Sequence, residues 1–475
     1  MTAERIILPG VSDDVNDDIT RLLDQINQKA SKNRRQDEYY EGKHAVRFVG
    51  SVIPPQYMSL ALTLGWTGKG VDLLARRCNL DAFTWADGDM ASLPYREVWK
   101  GNRLGSEINA ALVSSLVHGP SFVVTTRGTD GEPPALMHFK DATDATGDWN
   151  SRTRHLDNLL SVTGRNAERR VTSLAMYLDG VTIVAERDSS GWSVDQQEHP
   201  WGVPADILPY KPRLKRPFGT SRISRPARKI QDMAVRELVR TEGHMDVYSY
   251  PEFWMLGADE SIFKNSDGTI KAPWQVMLGR IKGIPDDDEA EGSLARADVK
   301  QFPAASPEPH LKAINMFAKL FARELQLPDS AVAISDMSNP TSADAYDSSQ
   351  YELIAEAEGA TDDWGPGLCN AFTRSMAIAE GLSEIPAEWA SIDAKWRSPR
   401  FLSRAAEADA GGKQIAAIPW LAETEVGLEL LGLDEQQIGR ALSERRRVTA
   451  GARLDALISA APAPVAPVAS SAVAG

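Results

Sequence analysis

The residues that could do chemistry are few and scattered. Seven histidines, His44, His118, His138, His155, His199, His244 and His310, form no HExxH pair and no close cluster along the chain, which favours surface and packing roles over metal ligation. The string GWTGKGVD, Gly65 to Asp72, has the glycine content of a phosphate loop without its spacing. A P-loop places four residues between its first Gly and the Gly-Lys pair and follows the pair with Ser or Thr, whereas Lys69 is followed by Gly70 and Val71. A turn is expected there instead. No Gly-x-Ser-x-Gly elbow supports a hydrolase serine. The run Asp286, Asp287, Asp288, Glu289 carries hard oxygen ligands that suit a divalent cation, although such runs are more often solvated loops. Cys78 and Cys369 lie far apart, outside any zinc spacing, and read as free thiols of a reducing compartment. These residues imply no catalytic group, metal or cofactor.

One charged segment stands out. Lys211, Arg213, Lys215, Arg216, Arg222, Arg225, Arg228 and Lys229 fall within 19 residues that contain no acid, in a chain of formal net charge −14. Two roles fit: contact with phosphates, or pairing with acidic surface on a neighbouring subunit. Aromatic interleaving is limited to Phe218, which disfavours stacking on single strands, and subunit pairing is the preferred reading. A tight sequence-reading DNA binder is usually basic overall. An acidic protein that handles DNA should let it slide, although a negative balance also serves solubility alone.

The elements that position these residues follow from length and periodicity. With 475 residues the chain has room for roughly three domains. It lacks an apolar stretch long enough for a transmembrane helix, and its acidic N-terminus lacks a secretory h-region, so neither a membrane span nor export is expected. Residues 13–38 read as a helix with Ile19, Leu22, Leu23 and Ile26 on one stripe and Asp13 or Asp14 as cap. Helices are expected at 69–80 and 102–117, the latter closed by Gly119-Pro120. From Phe122 the period changes to strands: FVVTT, LAMYL, VTIVAE and WSVDQ, with Asp179-Gly180 and Asp188 to Gly191 as the turns of a three-stranded meander. Helices first and antiparallel strands second indicate an α+β fold.

Residues 221–250 read as one long helix with Ser224 as cap and Pro226 in its first turn. Its stripe is Ile223, Ala227, Ile230, Ala234, Leu238 and Met245. Pro251 stops it. Short strands FWML, WQVML and VKQF follow, with a turn at Asn265 to Gly268. Ser306-Pro307-Glu308 restarts a helix with the stripe Leu311, Ile314, Ala318, Phe321 and Leu325; Met316, Phe317 and Leu320 widen it, so packing on more than one side is expected. Pro328 ends that helix, and 327–340 form a loop. Thr341 or Ser342 caps a third helix, which Gly365-Pro366-Gly367 must kink or break before FTRSMAIAEGL resumes it. Near the end, two helices are split around Gly432, with Asp434 as the second cap. Residues 460–475 are Ala/Pro/Val low complexity and are expected to be disordered.

The order helix, small strands, helix, loop, long helix carries specific words: FGTSRIS at Phe218 to Ser224, VKQFPAASPEPHLKAI at Val299 to Ile314, and ELQLPDSAVAISDMSNPTSADA at Glu324 to Ala345. With the YYEGKH string at Tyr39 to His44, they resemble the portal proteins of long-tailed bacteriophages. The resemblance spans about Tyr39 to Arg447 and is strongest from Phe218 to Ala345.

That resemblance implies a multidomain portal fold and a ring, generally of twelve subunits, at one capsid vertex. It implies a wing (1–220 and the long kinked helix 341–400), stem helices (221–250 and 306–326), a clip (251–305), a tunnel loop (327–340) and a crown (401–459). The ring would nucleate the shell with the major capsid and scaffolding proteins and dock the terminase large subunit and then a head-completion adaptor. It would be assembled in the bacterial host cytoplasm and pass double-stranded DNA without reading it. Asp329, Ser335, Asp336, Met337, Ser338 and Asn339 would face the DNA, and the absence of Lys and Arg from that loop suits sliding. Asp286 to Glu289 would lie at the clip contact. The alternatives are a nucleic-acid enzyme of the packaging machinery, nuclease or ATPase, for which no carboxylate metal cluster or phosphate loop is visible, or a different head–tail connector ring, which would usually be shorter and lack this element order.

Overall fold

The computed structural model describes residues 5–44, 63–248, 253–256, 265, 267–269, 298–301, 306–333, 348–400 and 404–460. In chain order the elements are α1 (Asp13–Tyr40), α2 (Trp66–Ala75), β1 (Leu80–Trp85), α3 (Tyr95–Gly101), α4 (Leu104–His118), β2 (Pro120–Arg127), β3 (Ala135–Asp141), β4 (Ala145–Asn150), β5 (His155–Arg165), β6 (Val171–Leu178), β7 (Val181–Arg187), β8 (Trp192–Glu198), β9 (Ala205–Pro209), α5 (Arg225–Tyr248), β10 (Phe253–Leu256), β11 (Asp298–Gln301), α6 (Glu308–Glu324), α7 (Tyr351–Ala379), β12 (Ile392–Trp396), α8 (Arg404–Ala417), α9 (Glu425–Leu430) and α10 (Glu435–Ala460). The chain divides into two compact units, 1–399 and 400–475.

The first unit is layered, and side-chain alternation decides which layer meets which. Ile19, Leu22, Leu23 and Ile26 of α1 are buried against Leu160, Leu174, Met176 and Ile183. These sit on one face of the antiparallel sheet β4-β5-β6-β7-β8. The alternate residues Leu159, Ala175 and Tyr177 point the other way and meet Phe122, Val124 and Ile207 of the sheet β3-β2-β9. Period 2 then turns Val123, Met137 and Leu208 toward α4 and α7, where Leu112, Leu116, Trp364 and Leu368 are buried. At about 1.5–3 kcal/mol for each large apolar side chain buried, these contacts dominate the stability of the unit.

The expected three-stranded meander is the outer part of the five-stranded sheet. β4 and β5 complete it with a register shift between Asp148 and Trp149. β12 pairs antiparallel with β1, Trp85 opposite Ile392. The expected turn at Gly65 to Asp72 is the beginning of α2. Its glycines serve close approach: a Cβ on Gly68 would lie 2.4 Å from the Tyr40 carbonyl oxygen, and one on Gly70 would lie 2.6 Å from Leu325 Cδ1. Gly365-Pro366-Gly367 does not break its helix, since α7 runs through Pro366. Trp364, Leu368, Ala371 and Phe372 are buried on both sides of the proline, and a Cβ on Gly367 would lie 2.4 Å from the Ile207 carbonyl oxygen. Tertiary contact thus holds α7 through the residue that removes one of its backbone bonds.

The caps read from sequence are largely in place. Ser224 Oγ accepts from Ala227 N at 3.1 Å. Asp434 Oδ1 accepts from Gln437 N while Gln437 Oε1 accepts from Asp434 N, a reciprocal capping pair that starts α10 after Gly432 turns at φ +78°. At the other end, α1 begins after Ser12 rather than after an aspartate.

Candidate functional site

α5, β10, β11 and α6 form one excursion of the chain. α5 leads out over 24 residues, about 36 Å at a helical rise. β10 and β11 pair antiparallel, Phe253 opposite Gln301 and Leu256 opposite Asp298. α6 then returns alongside α5. It starts where Ser306 Oγ accepts from Glu308 N at 3.2 Å. It ends in a Schellman turn: Gln326 takes φ +53° and Leu327 N donates to Ala322 O at 2.8 Å. The buried stripe of α5 is Ala227, Ala234, Val235 and Val239; that of α6 is Ile314, Ala318, Phe321 and Ala322. Other apolar residues of the pair face outward: Met233, Met245, Leu311, Met316 and Leu320, each between 39% and 51% exposed. The widened face of α6 thus has no cover within one chain from the described residues, although burial on both sides was expected of it.

The foot of the excursion is locked by Arg222. Its guanidinium is buried and donates Nε to Gly70 O at 2.9 Å, Nη2 to Leu325 O at 2.7 Å and Nη1 to Tyr210 Oη at 2.9 Å, with Glu356 Oε1 at 3.4 Å. Tyr210 Oη in turn donates to Glu356, and burial above all holds its phenol pKa well above the usual range. One side chain thereby joins α2, the end of α6, the strand-to-helix linker and α7. Arg222 is therefore an internal anchor and not part of a surface patch.

The other cations of the basic window are dispersed. Lys211 pairs with Glu356 at 2.7 Å, and its backbone N donates to Asp363. Arg213 and Arg216 exchange backbone hydrogen bonds across an exposed turn that also holds Lys215 and the fully projecting Leu214. Arg225, Arg228 and Lys229 begin α5 and meet α1, whose Arg34 and Arg35 the sequence reading passed over. Together these residues line a cavity of about 730 Å³ between the two helices. Burial lowers the Lys32 ammonium pKa, and the charges of Lys29, Arg216 and Arg228 add to the effect, so segments nearly 200 residues apart form one positive region. Burial, assisted by Arg35 and Arg225, likewise lowers Arg228, whose guanidinium lies 5.7 Å from the Tyr39 ring centre. The adjacent pair Arg34-Arg35 was the available sequence signal; its facing of α5 had none.

Two histidine sites appear in space that are invisible in spacing. His310 Nδ1 lies 2.6 Å from Glu237 Oε1 and His310 Nε2 lies 3.3 Å from His244 Nδ1, joining α5 to α6. His118 Nε2 lies 3.1 Å from Asp37 and 3.5 Å from Asp141, joining α4, α1 and β3. No group of three or more suitable metal ligands occurs among the described residues. Cys78 and Cys369 are free, and burial pushes both thiols up to about 12, which favours the protonated thiol over the thiolate.

Of the residues expected to face DNA, Asp329 opens an exposed 3₁₀ turn at Asp329–Ala331, where its carbonyl accepts from Ala333 N. Ser335, Asp336, Met337, Ser338 and Asn339 lie outside the described residues. So do Asp286, Asp287, Asp288 and Glu289, the strand WQVML, the caps Thr341 and Ser342, and all of the terminal tail after Ala460. No helix among the described residues is long and apolar enough to cross a membrane.

Three comparisons bear on this arrangement. Residues 19–448 match the family model of phage portal proteins of the SPP1 Gp6-like type. The portal protein of Mycobacterium phage D29 is 24% identical over 420 residues, which cover 86% of this chain and 83% of that one. The portal protein of Mycobacterium phage L5 is 24% identical over 385 residues, 79% and 77% of the two chains. Among solved structures, a chain of the virion of a native gene transfer agent particle aligns with TM-score 0.40 at 14% identity, over 78% of this chain and 90% of that one. A chain of the neck of such a particle, computed with C12 symmetry, aligns with TM-score 0.39 at 15% identity, over 82% and 97%.

Proposed function

The chain belongs to the SPP1 Gp6-like family of phage portal proteins, and from that membership we propose that twelve copies of it close into a ring through which double-stranded DNA enters and leaves the capsid. Portal proteins are structural components rather than enzymes, and the role proposed here is structural. The single observation that carries it is the α5–β10–β11–α6 excursion with its uncovered apolar edge. Met233, Met245, Leu311, Met316 and Leu320 sit on paired helices anchored at one end by Arg222. Apolar rows of this kind on a stable unit mark surfaces that meet another protein. In a ring that partner is the same helix pair of the next copy, and the contact is head-to-tail.

On this reading α5 and α6 are the stem, and 251–305 is the clip that meets the terminase large subunit during packaging and a head-completion adaptor afterwards. Residues 327–340 are the tunnel loop. Residues 1–220 with 341–400 form the wing, and 401–459 the crown. The capsid and scaffolding proteins meet the ring at its vertex in the virion. Asp329, Asp336 and the short polar side chains Ser335, Ser338 and Asn339 give the loop no cation with which to grip phosphates, so it guides DNA without pinning it.

Negative-stain imaging of the purified protein is expected to show rings with a central hole. Leu320→Glu is expected to reduce ring formation at least tenfold while leaving the unfolding midpoint of the monomer unchanged, because that side chain is 46% exposed. A chain that stays monomeric at every concentration sinks the proposal. For the loop, deletion of residues 335–338 is expected to impair packaging or retention of DNA in infected cells; unaltered packaging and retention would leave the loop without a guiding role.

A further inference from the structure

The cavity between α1 and the start of α5 is an electrostatic site that finds no partner among the described residues. Arg34, Arg35, Arg225 and Arg228 line it and make no ion pair among the described residues, in a protein that carries fourteen excess negative charges. Two acids intervene, and both are engaged: Asp232 accepts from Tyr39 Oη at 2.7 Å and pairs with Lys229 at 3.3 Å, while Glu38 lies 3.6 Å from His44. Cations at the N-terminus of α5 also oppose the helix dipole. Such a cluster costs stability unless an anion from outside completes it.

The shape of the site selects the class of anion. A hollow of about 730 Å³ between two helices admits a few side chains. Duplex DNA is a stiff rod, with a persistence length of about 50 nm, and cannot bend into it. The engaged carboxylates within the lining also suit a partner of fixed pattern better than a uniform row of phosphates.

A surface of opposite charge exists on the same chain. α7 carries Glu352, Glu358 and Asp362 on its exposed face, has no Lys or Arg before Arg374, and none of these three carboxylates has an ion pair among the described residues. The acids of α1 are less available, since Asp17 and Asp18 already pair with Arg5 and Arg21. Within one chain the α7 face and the groove do not pair. In a closed ring each subunit presents two different patches to its two neighbours, which is the contact these surfaces would make. We propose that the α1–α5 groove receives the acidic face of α7 from the adjacent copy, resting on the ring reading above and adding the site that sets the register between subunits. Copies of net charge −14 repel one another, so attraction localised at this pair also orients their approach.

The test is charge reversal on each side and on both. Arg34→Glu with Arg225→Glu, and separately Glu358→Lys with Asp362→Lys, are each expected to raise the concentration for half-assembly at least tenfold in sedimentation velocity, with monomers that stay folded and, for the groove reversal, unfold no more easily than the original because like-charge repulsion is relieved. The chain carrying all four changes is expected to recover to within about threefold of the original. Assembly indifferent to either reversal overturns the proposal, as does a folded four-change chain that fails to recover. Groove-reversed rings that assemble normally but lose duplex binding also overturn it, and assign the groove to phosphates. An independent arm mixes Arg34→Cys chains with Glu358→Cys chains under mild oxidation. A disulfide-linked pair absent from the original protein is expected, and no cross-link in intact rings counts against the site. If the original chain itself forms no rings, the ring reading falls together with this one; rings indifferent to reversal overturn only the groove.

Discussion

Arg222 shows how one residue fixes the route of the chain. It lies in a window of eight cations and looks interchangeable with them, yet its side chain is 2% exposed and bonded to four different segments. A guanidinium serves this position because its fork of donors points in several directions at once, which an ammonium cannot reproduce. Removing it takes the guanidinium from the Glu356 carboxylate, 8% exposed, which keeps only Tyr210 and Lys211, and strips the carbonyls of Gly70 and Leu325 of their buried side-chain donor. Arg222→Ala is therefore expected to cost about 3–5 kcal/mol of unfolding free energy. Arg222→Lys is expected to retain less than half of that. Urea unfolding followed by tryptophan fluorescence checks both, and a loss below about 1 kcal/mol for the alanine variant would show that the network is incidental. The partners of Arg222 could not be read in the sequence: Gly70 and Leu325 contribute backbone carbonyls, and Glu356 is one of many acids on a helix 134 residues away.

Among elements, legibility followed locality. The stripe of α1, most of those of α5 and α6, and the caps at Ser224 and Asp434 were visible because helical period and capping are written within a few residues, but Met245 and Leu311, which spacing puts on the stripes, are 46% and 47% exposed. The β1–β12 pairing was not, since Leu80 and Trp396 are matched only by folding the whole unit, and β4 and β5 carry polar residues such as Asp148 and Asn158 that hydrogen-bond to each other across the strands. Of the expected surface site, the basic window was legible as charge but not as three separate environments. α7 settles one of two outcomes that a local rule allowed: the helix is not broken at Gly365-Pro366-Gly367. Pro366 costs a helix about 3 kcal/mol relative to Ala in isolation, but buried neighbours on both sides hold it. Since Pro366 itself is exposed, Pro366→Ala restores a backbone bond without removing a core contact. It is expected to raise the stability of the first unit by about 1–3 kcal/mol, measurable as a higher thermal midpoint. A lower midpoint would mean that the proline sets a bend on which the packing of α7 against β9 depends.

For the whole molecule, the two units are unequal in what they bury. The first holds three apolar clusters in successive layers. In the second, Ile438 is the one buried large aliphatic side chain among the described residues, while Ile418, Trp420, Val426 and Val448 are between 42% and 73% exposed. Its helices instead rely on local devices: the Thr424 cap on Gly427 N, the Asp434–Gln437 pair, and close approach of Gly411 to the Leu430 carbonyl. Local capping adds about 1 kcal/mol per site, and short helices without a packed face are marginal in water. A unit so built opens easily as a monomer and gains most from neighbours that cover its apolar residues. Hydrogen exchange should separate the two. In monomers, amides of residues 404–460 are expected to exchange orders of magnitude faster than those of β5 and β6. In assembled rings they are expected to become protected, while protection in the first unit changes mainly along α1, α5, α6 and α7. A chain ending at Pro399 is expected to keep the main unfolding transition within a few degrees. If that truncation abolishes the transition, the second unit supplies part of the core stability that its small buried surface denies it.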